Sequence, residues 1–240
     1  MSTILKFNNV DAGYDNGRNK VNILNDISFD MQKNEILGLA GESGCGKTTI
    51  ARAILDIAKV RRGSIERYYN KAQMIFQDPY SSLNPVKTVK WIMHESISLG
   101  LKDKTDEYYE QKIYEMCDMV QLGDEILERK PGELSGGQRQ RVCIAVSLLQ
   151  NPDFLIADEP VSALDVTIQA QIMQLLKDVH RKRRLSMIFI SHDLRTMYNI
   201  CDRIIILKDG RIEEIGKPRH MYRHPESEYT KLLLESAGID

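Results

Sequence analysis

The sequence predicts an α/β protein with an antiparallel β region at its N-terminus and a helical lobe inserted into a parallel sheet. Three observations carry this. Ile36-Leu-Gly-Leu-Ala40 is an apolar run suited to a buried strand, and a glycine-rich stretch joins it to Ile50, Ala53, Ile54 and Ile57 at helical spacing. Phe154-Leu-Ile-Ala-Asp158 and Leu185 to Ile190 are further apolar runs of strand length, each leaving into polar residues. Between them and the first strand, from Thr88 to Leu149, the pattern turns helical. The expected layout is a single domain over residues 1–240. Residues 1–86 and 151–216 form the α/β core, 87–150 the lobe and 217–240 a helical tail.

Composition sets the outer bounds. The chain has 240 residues, 42% of them hydrophobic, and a net charge of −1, which suits a soluble fold with a sizeable core and weakens a nucleic-acid-binding reading. The longest charge-free apolar runs, such as Met187-Ile-Phe-Ile190 and Ile204-Ile-Ile-Leu207, fall far short of the ~20 residues of a membrane span. The start, Met1-Ser-Thr-Ile-Leu-Lys6, lacks the pattern of a secretory signal. Cys45, Cys117, Cys143 and Cys201 are scattered without a CxxC pair, as expected of a reducing compartment.

In chain order, Ile4 to Phe7 reads as a strand and Asp11 to Asn22 as a polar loop holding Tyr14. Ile27, Phe29 and Met31 alternate as in a strand, and Lys33-Asn34 turns the chain into Ile36–Ala40. Gln73 to Asp78 reads as another short strand. In the lobe, Tyr109, Ile113, Met116 and Val120 share a helix face behind an acidic first turn of Asp106 and Glu107. A second helix carries Val142, Ala145, Val146 and Leu149 and stops at Asn151-Pro152. Ile168, Ile172, Leu175, Leu176 and Val179 mark a third, closed by Arg181-Lys-Arg-Arg184, which reads as a solvated end complementing the helix dipole. Asp209-Gly210 centres a hairpin over Arg203 to Ile215. Tyr229, Leu232 and Leu233 form one side of a docked terminal helix. His220 and His224, four apart, lack the acidic or thiol company of a metal site.

The chemistry concentrates in Gly41-Glu-Ser-Gly-Cys-Gly-Lys-Thr48, which fits GxxxxGK[ST] between a strand and a helix. Glycines let main-chain N–H groups turn toward phosphates, and a helix start adds a positive dipole end. Lys47, expected in a solvent-facing loop, reaches the β and γ oxygens, and the Thr48 hydroxyl suits Mg²⁺. Asp158 and Glu159 leave a buried strand together, where a parallel sheet positions ligands, although a helix cap and solvated turn before Pro160 would use the same residues. Ser135, Gly136 and Gly137 at a helix start form a second candidate anion site.

Tyr14, GESGCGKT, Gln77, LSGGQ, FLIADE, SALD and His192, in this order, resemble the ATP-binding subunit of an ABC transporter over almost the whole chain. Gln77-Asp-Pro-Tyr-Ser-Ser-Leu-Asn-Pro85 and Asp158-Glu-Pro-Val-Ser-Ala-Leu-Asp-Val166 are similar to the peptide and nickel importer group, as is Arg223-His-Pro-Glu-Ser-Glu-Tyr-Thr230. Stopping at Asp240, the chain resembles the shorter, second ATPase of a nickel, metal-chelate or dipeptide importer. The resemblance implies a P-loop NTPase core with a RecA-like parallel sheet, and ATP and Mg²⁺ as cofactors. It implies ATP hydrolysis at the cytoplasmic face of the membrane, powering import through separate transmembrane permease subunits fed by an extracytoplasmic solute-binding protein. A second homologous ATPase chain, or another copy of this one, is the expected partner, with no nucleic acid.

By the same resemblance Tyr14 stacks on adenine, and Gly41, Glu42, Ser43, Gly44, Cys45, Gly46, Lys47, Thr48 and Thr49 form the phosphate loop. Thr48, Gln77 and Asp158 serve the metal, and Glu159 orients or deprotonates the attacking water. His192 contacts the γ-phosphate. Ser135, Gly136, Gly137 and Gln138 contact the γ-phosphate on the partner chain, and Asp165 couples the two sites. The alternatives are an ABC exporter ATPase and a non-transport ABC ATPase acting on nucleic acid. The latter would normally carry a long coiled coil or duplicated motifs, and neither pattern is present.

Overall fold

The structure is a computed structural model that describes residues 2–16, 19–100, 104–162 and 164–239. The chain separates into two compact units: residues 1–69, 156–159 and 186–240 form the first, and residues 70–155 and 160–185 the second.

The first unit opens with β1 (Thr3–Asn16) and β2 (Asn19–Gln32), followed by β3 (Ile36–Ala40), α1 (Lys47–Ile54) and β4 (Lys59–Arg67). β1, β2 and β4 make an antiparallel sheet in the order β2-β1-β4. In the expected loop at Asp11–Asn22, residues 11–16 and 19–22 are instead the outer halves of two strands, while residues 17 and 18 lie outside the described residues, and β4 had no expectation at all. Polar residues extend this pair because they satisfy one another across strands: the Arg61 guanidinium donates to the Tyr14 carbonyl and to Asp15 Oδ1, both at 2.8 Å. Register shifts at Phe7/Val10 and Val10/Ala12 accompany Asn9 and Asp26 at φ of 46° and 57°, a backbone that Asn and Asp tolerate, and Asn9 Nδ2 donates to Asp26 at 3.0 Å. Beneath, Phe7 stacks on Phe29 with ring centroids 4.6 Å apart.

The second unit begins with β5 (Ala72–Ile75) and α2 (Pro79–Ser82), then α3 (Val89–Gly100), α4 (Asp106–Met119) and α5 (Gly136–Leu149). The strand expected over Gln73–Asp78 ends at Ile75, because Asp78 caps α2 by accepting from the Tyr80 amide at 2.9 Å. β6 (Phe154–Asp158), whose last residues belong to the first unit, and α6 (Val166–Arg183) follow; the chain then returns to the first unit with β7 (Ser186–Ile190), α7 (Leu194–Ile200), β8 (Arg203–Lys208), β9 (Arg211–Gly216), α8 (Pro218–Met221) and α9 (Glu228–Ser236). The second sheet has the order β5-β6-β7-β3-β8-β9. β3 runs parallel to β7 and β8, and β9 closes the edge antiparallel. Every residue of β3, β6 and β7 is buried, which is why these strands read as unbroken apolar runs. This is the expected P-loop NTPase fold with its N-terminal antiparallel region.

Two sequence expectations need correction here. Arg183 is not simply solvated: it donates to the Leu148 carbonyl at the end of α5, at 2.9 Å. On α9 the buried residues are Thr230 and Leu234, whereas Leu232 is 57% exposed. Among the described residues no helix is long and apolar enough to cross a membrane.

Glu35, in the turn that delivers β3, is buried at 6% exposure. It accepts from the Gln32 amide at 2.6 Å and lies 3.5 Å from the Arg203 guanidinium. Burial pushes its carboxyl above the ordinary value of 4.5, the Gln32 amide and Arg203 pull it down, and Asp202 and Asp30 push it up. The folded state therefore holds the proton more tightly than the unfolded state, so this group's contribution to stability improves as pH falls through the raised value. Urea denaturation of Glu35→Gln should accordingly show its best stability relative to wild type near pH 7, the difference narrowing as pH falls toward 4.5. A difference independent of pH would mean that Glu35 titrates as in the unfolded chain.

Candidate functional site

β3 feeds the glycine-rich loop directly into α1, and two glycines make the turn possible. Gly41 has φ 142°, and a Cβ there would stand 2.2 Å from the Leu207 carbonyl oxygen. Gly46 has φ 111°, and a Cβ there would meet Leu24 at 2.7 Å. Lys47 is the first residue of α1 and is 7% exposed, not solvent-facing as expected. Its ammonium donates to the carbonyls of Gly41 and Glu42 at 2.7 and 2.8 Å and lies 3.7 Å from the Cys45 sulfur. Glu42, Ser43 and Gly44 form the exposed crest of the loop, and Thr49 is buried behind it.

Thr48 donates its hydroxyl to Asp158 Oδ2 at 3.0 Å, joining α1 to the end of β6. Asp158 is 4% exposed, and its carboxyl is raised above the ordinary value. Burial is the main cause, the neighbouring Glu159 charge adds to it, and the Thr48 hydroxyl, Lys47 and Arg52 oppose it. A hydroxyl beside a buried carboxylate is a hard-oxygen donor set that fits a small divalent cation completed by phosphate oxygens and water. Among the described residues no group of three or more His, Cys, Asp or Glu forms a self-sufficient metal cage.

Glu159 turns out of β6 at φ 46°, an uncommon backbone for a non-glycine residue, with its amide donating to the Ile190 carbonyl at 3.0 Å. The ends of β6 and β7 are thus bonded together, and His192 Nδ1 lies 3.5 Å from Glu159 Oε2. The His192 side chain is 65% exposed and that of Glu159 19%. Tyr14 stands in β1 rather than in a loop. Its hydroxyl accepts from Arg52 at 3.4 Å, and the same guanidinium lies 5.8 Å from its ring centre. The first unit therefore gathers the phosphate loop, Asp158, Glu159 and His192 around neighbouring strand ends. Arg52 had no place in the sequence reading, though its position four after Thr48 on α1 was the signal that could have found it.

The remaining candidates belong to the second unit. Gln77 is exposed between β5 and α2. Ser135 caps α5 in a reciprocal box, its Oγ accepting from the Gln138 amide at 3.2 Å while Gln138 Oε1 accepts from the Ser135 amide at 3.0 Å. Gly136 and Gly137 begin the helix, and a Cβ on Gly137 would meet Ile168 at 2.8 Å. Asp165 caps α6 by accepting from Ile168 at 3.0 Å, while Ala163 of the Ser162–Asp165 stretch lies outside the described residues. Sequence reading missed Arg139, which is 2% exposed, donates to the Pro131 and Leu134 carbonyls at 3.0 and 2.9 Å, and lies 3.6 Å over the Tyr80 ring.

Known proteins resemble this chain over most of its length. The profile of the ABC transporter family matches residues 24–162. The dipeptide transport ATP-binding protein DppF of Lactococcus lactis subsp. cremoris (strain MG1363) is 40% identical over 97% of this chain and 80% of its own length. The oligopeptide transport ATP-binding protein OppF of Bacillus subtilis (strain 168) is 40% identical over 92% of this chain and 78% of its own. Among solved structures, the ATP-binding cassette MJ0796, a dimer in a post-hydrolysis state bound to ADP and Pi, aligns with a TM-score of 0.80 at 28% identity, covering 90% of this chain and 99% of that one. The chain therefore belongs to the ABC transporter family and is one of its ATP-hydrolysing subunits.

Proposed function

We propose that this ATPase drives uptake of peptides through separate membrane subunits, and that it divides hydrolysis between a phosphate-holding loop and two adjacent carboxylates of unlike environment. The observation that carries the site is the 3.0 Å bond from Thr48 to Asp158, which ties the loop to the carboxylate strand beside Lys47 and Glu159. The substrate class is supported by the dipeptide and oligopeptide transport relatives at 40% identity.

In this reading the main-chain amides of Ser43 to Thr49 bind the phosphates, and the Lys47 ammonium moves from the loop carbonyls to the terminal phosphate oxygens. Thr48 and Asp158 would hold Mg²⁺, which when bound neutralises the charge on the transferred phosphoryl group, and the metal role of Gln77 rests on its motif resemblance alone. Glu159 orients the attacking water and accepts its proton, and His192 steadies the same end of the nucleotide. Tyr14 stacks on the base. Ser135 to Gln138 and Asp165 act toward the nucleotide of a second ATPase chain, an arrangement supported by the dimeric state of the MJ0796 cassette. Phe76, Tyr80 and Val86, which are 50%, 67% and 70% exposed around Gln77, offer apolar surface for a membrane subunit at the cytoplasmic face.

Lys47→Ala should lower ATP affinity by about 10- to 100-fold, the worth of a charged hydrogen-bonding partner, as titration calorimetry would read. The chain should stay folded but less stable by ~1–3 kcal/mol, because two carbonyls lose their donor. Unchanged affinity would remove the phosphate loop from the site.

Glu159→Gln should keep ATP affinity within about threefold while turnover falls ~10²–10⁴-fold, the usual reach of a general base. Glutamine matches the volume and tolerates the same backbone, so the loss reads the charge alone. Hydrolysis at the wild-type rate in the assembled transporter would move the role to another group, with His192 the first to examine.

A further inference from the structure

The phosphate loop is held from outside by the last part of the chain. Gly210 donates its amide to the Cys45 carbonyl at 3.0 Å, and its own carbonyl accepts from Asn25 at 2.8 Å, so the β8–β9 turn is bonded to both the loop and β2. Beside that turn stands Tyr229, in the first turn of α9. Lys208 covers its ring at 4.6 Å from the centroid. The hydroxyl oxygen is buried without a well-formed hydrogen bond, the Glu42 main chain being the donor that faces it, with Cys45 and Asp209 beside it. Burial raises the phenol, and the facing Glu42 main chain works against that rise.

A buried hydroxyl without a well-formed hydrogen bond costs stability that a phenylalanine would not incur, so packing gives no reason for a tyrosine here. Its position does. Glu42 stands one residue before Ser43, where the amides proposed to bind phosphate begin, and α9 is fixed to the first unit by Thr230 and Leu234, 1% and 3% exposed. We propose that Tyr229 is a positioning residue for nucleotide binding: its phenol oxygen receives the Glu42 amide as the loop closes on phosphate, so that the terminal helix sets part of the nucleotide affinity. The group touches the loop and not the nucleotide, and the effect belongs in binding. This rests on Gly41–Thr49 being the phosphate-holding loop.

The test is steady-state ATPase kinetics of the assembled transporter carrying Tyr229→Phe, with Leu232→Ala as an exposed control on the same helix and Lys47→Ala alongside. Phenylalanine keeps the volume and the Lys208 contact. KM for ATP should rise about two- to tenfold, the worth of one hydrogen bond, with kcat within about twofold. The melting temperature without nucleotide should equal or exceed wild type, and Leu232→Ala should change none of these values. A wild-type KM in Tyr229→Phe, or a loss confined to kcat or to the melting temperature, overturns the proposal. If Lys47→Ala weakens nucleotide binding about 10- to 100-fold while Tyr229→Phe is silent, the loop assignment stands and the brace is wrong. If Lys47→Ala binds as wild type, both fall.

Discussion

The buried ammonium of Lys47 is the constraint from which the loop follows. A cation left 7% exposed has lost most of its water, and without replacement that would cost several kcal/mol. The Gly41 and Glu42 carbonyls replace it at 2.7 and 2.8 Å, which requires the backbone to wrap around its own lysine. Such a wrap passes through φ values of 142° and 111° at Gly41 and Gly46, so glycine is a steric necessity at both. A parallel strand must deliver the loop and a helix must begin at Lys47. The buried sheet and α1 are the supports that this geometry demands.

How legible all this was depended on what holds each element. β3, β6 and β7 are buried on both faces, so apolar runs announced them, and the Asp209-Gly210 hairpin followed from two residues that adopt φ of 47° and 73°. The outer halves of β1 and β2 were hidden because cross-strand polar partners hold them. Asp15, Tyr14 and Arg61 are distant in sequence, and nothing local says that they meet. β4 alternates weakly and is half-exposed throughout, which leaves no period to detect. The loop motif itself was plain, but the burial of Lys47 was not, because it depends on carbonyls that only the folded turn aims inward.

Ser135 and Asp165 show why motif residues resist a single reading. Each is a working helix cap, Ser135 bonded to Gln138 and Asp165 to Ile168. Capping explains their residue type completely and would do so in a protein with no nucleotide. What capping does not require is glycine at 136 and 137, since a helix interior is weakened by it. At Gly137 the nearby Ile168 excludes a Cβ, but Gly136 meets only Leu164 at 3.3 Å, a contact that a small shift could relieve. Surplus glycine at a helix start is what an approaching anion would need, and it favours the proposed contact with a partner's nucleotide over capping alone.

The two carboxylates end the argument, because neighbours in sequence have been given opposite surroundings. Asp158 is 4% exposed, bonded to Thr48, and raised by burial, so its charge is costly until a cation arrives. Glu159 lies one residue further, turned by a left-handed backbone so that its side chain leaves the strand toward His192. A strand in regular geometry would send successive side chains to opposite faces of the sheet. The φ of 46° at Glu159 breaks that alternation at the strand's last step, which allows both acids to serve one end of the sheet. On the proposed roles, strain at this residue is intelligible as the cost of placing the acid assigned to the metal and the acid assigned to the water side by side, and relaxing the turn should separate the two roles before it harms the fold.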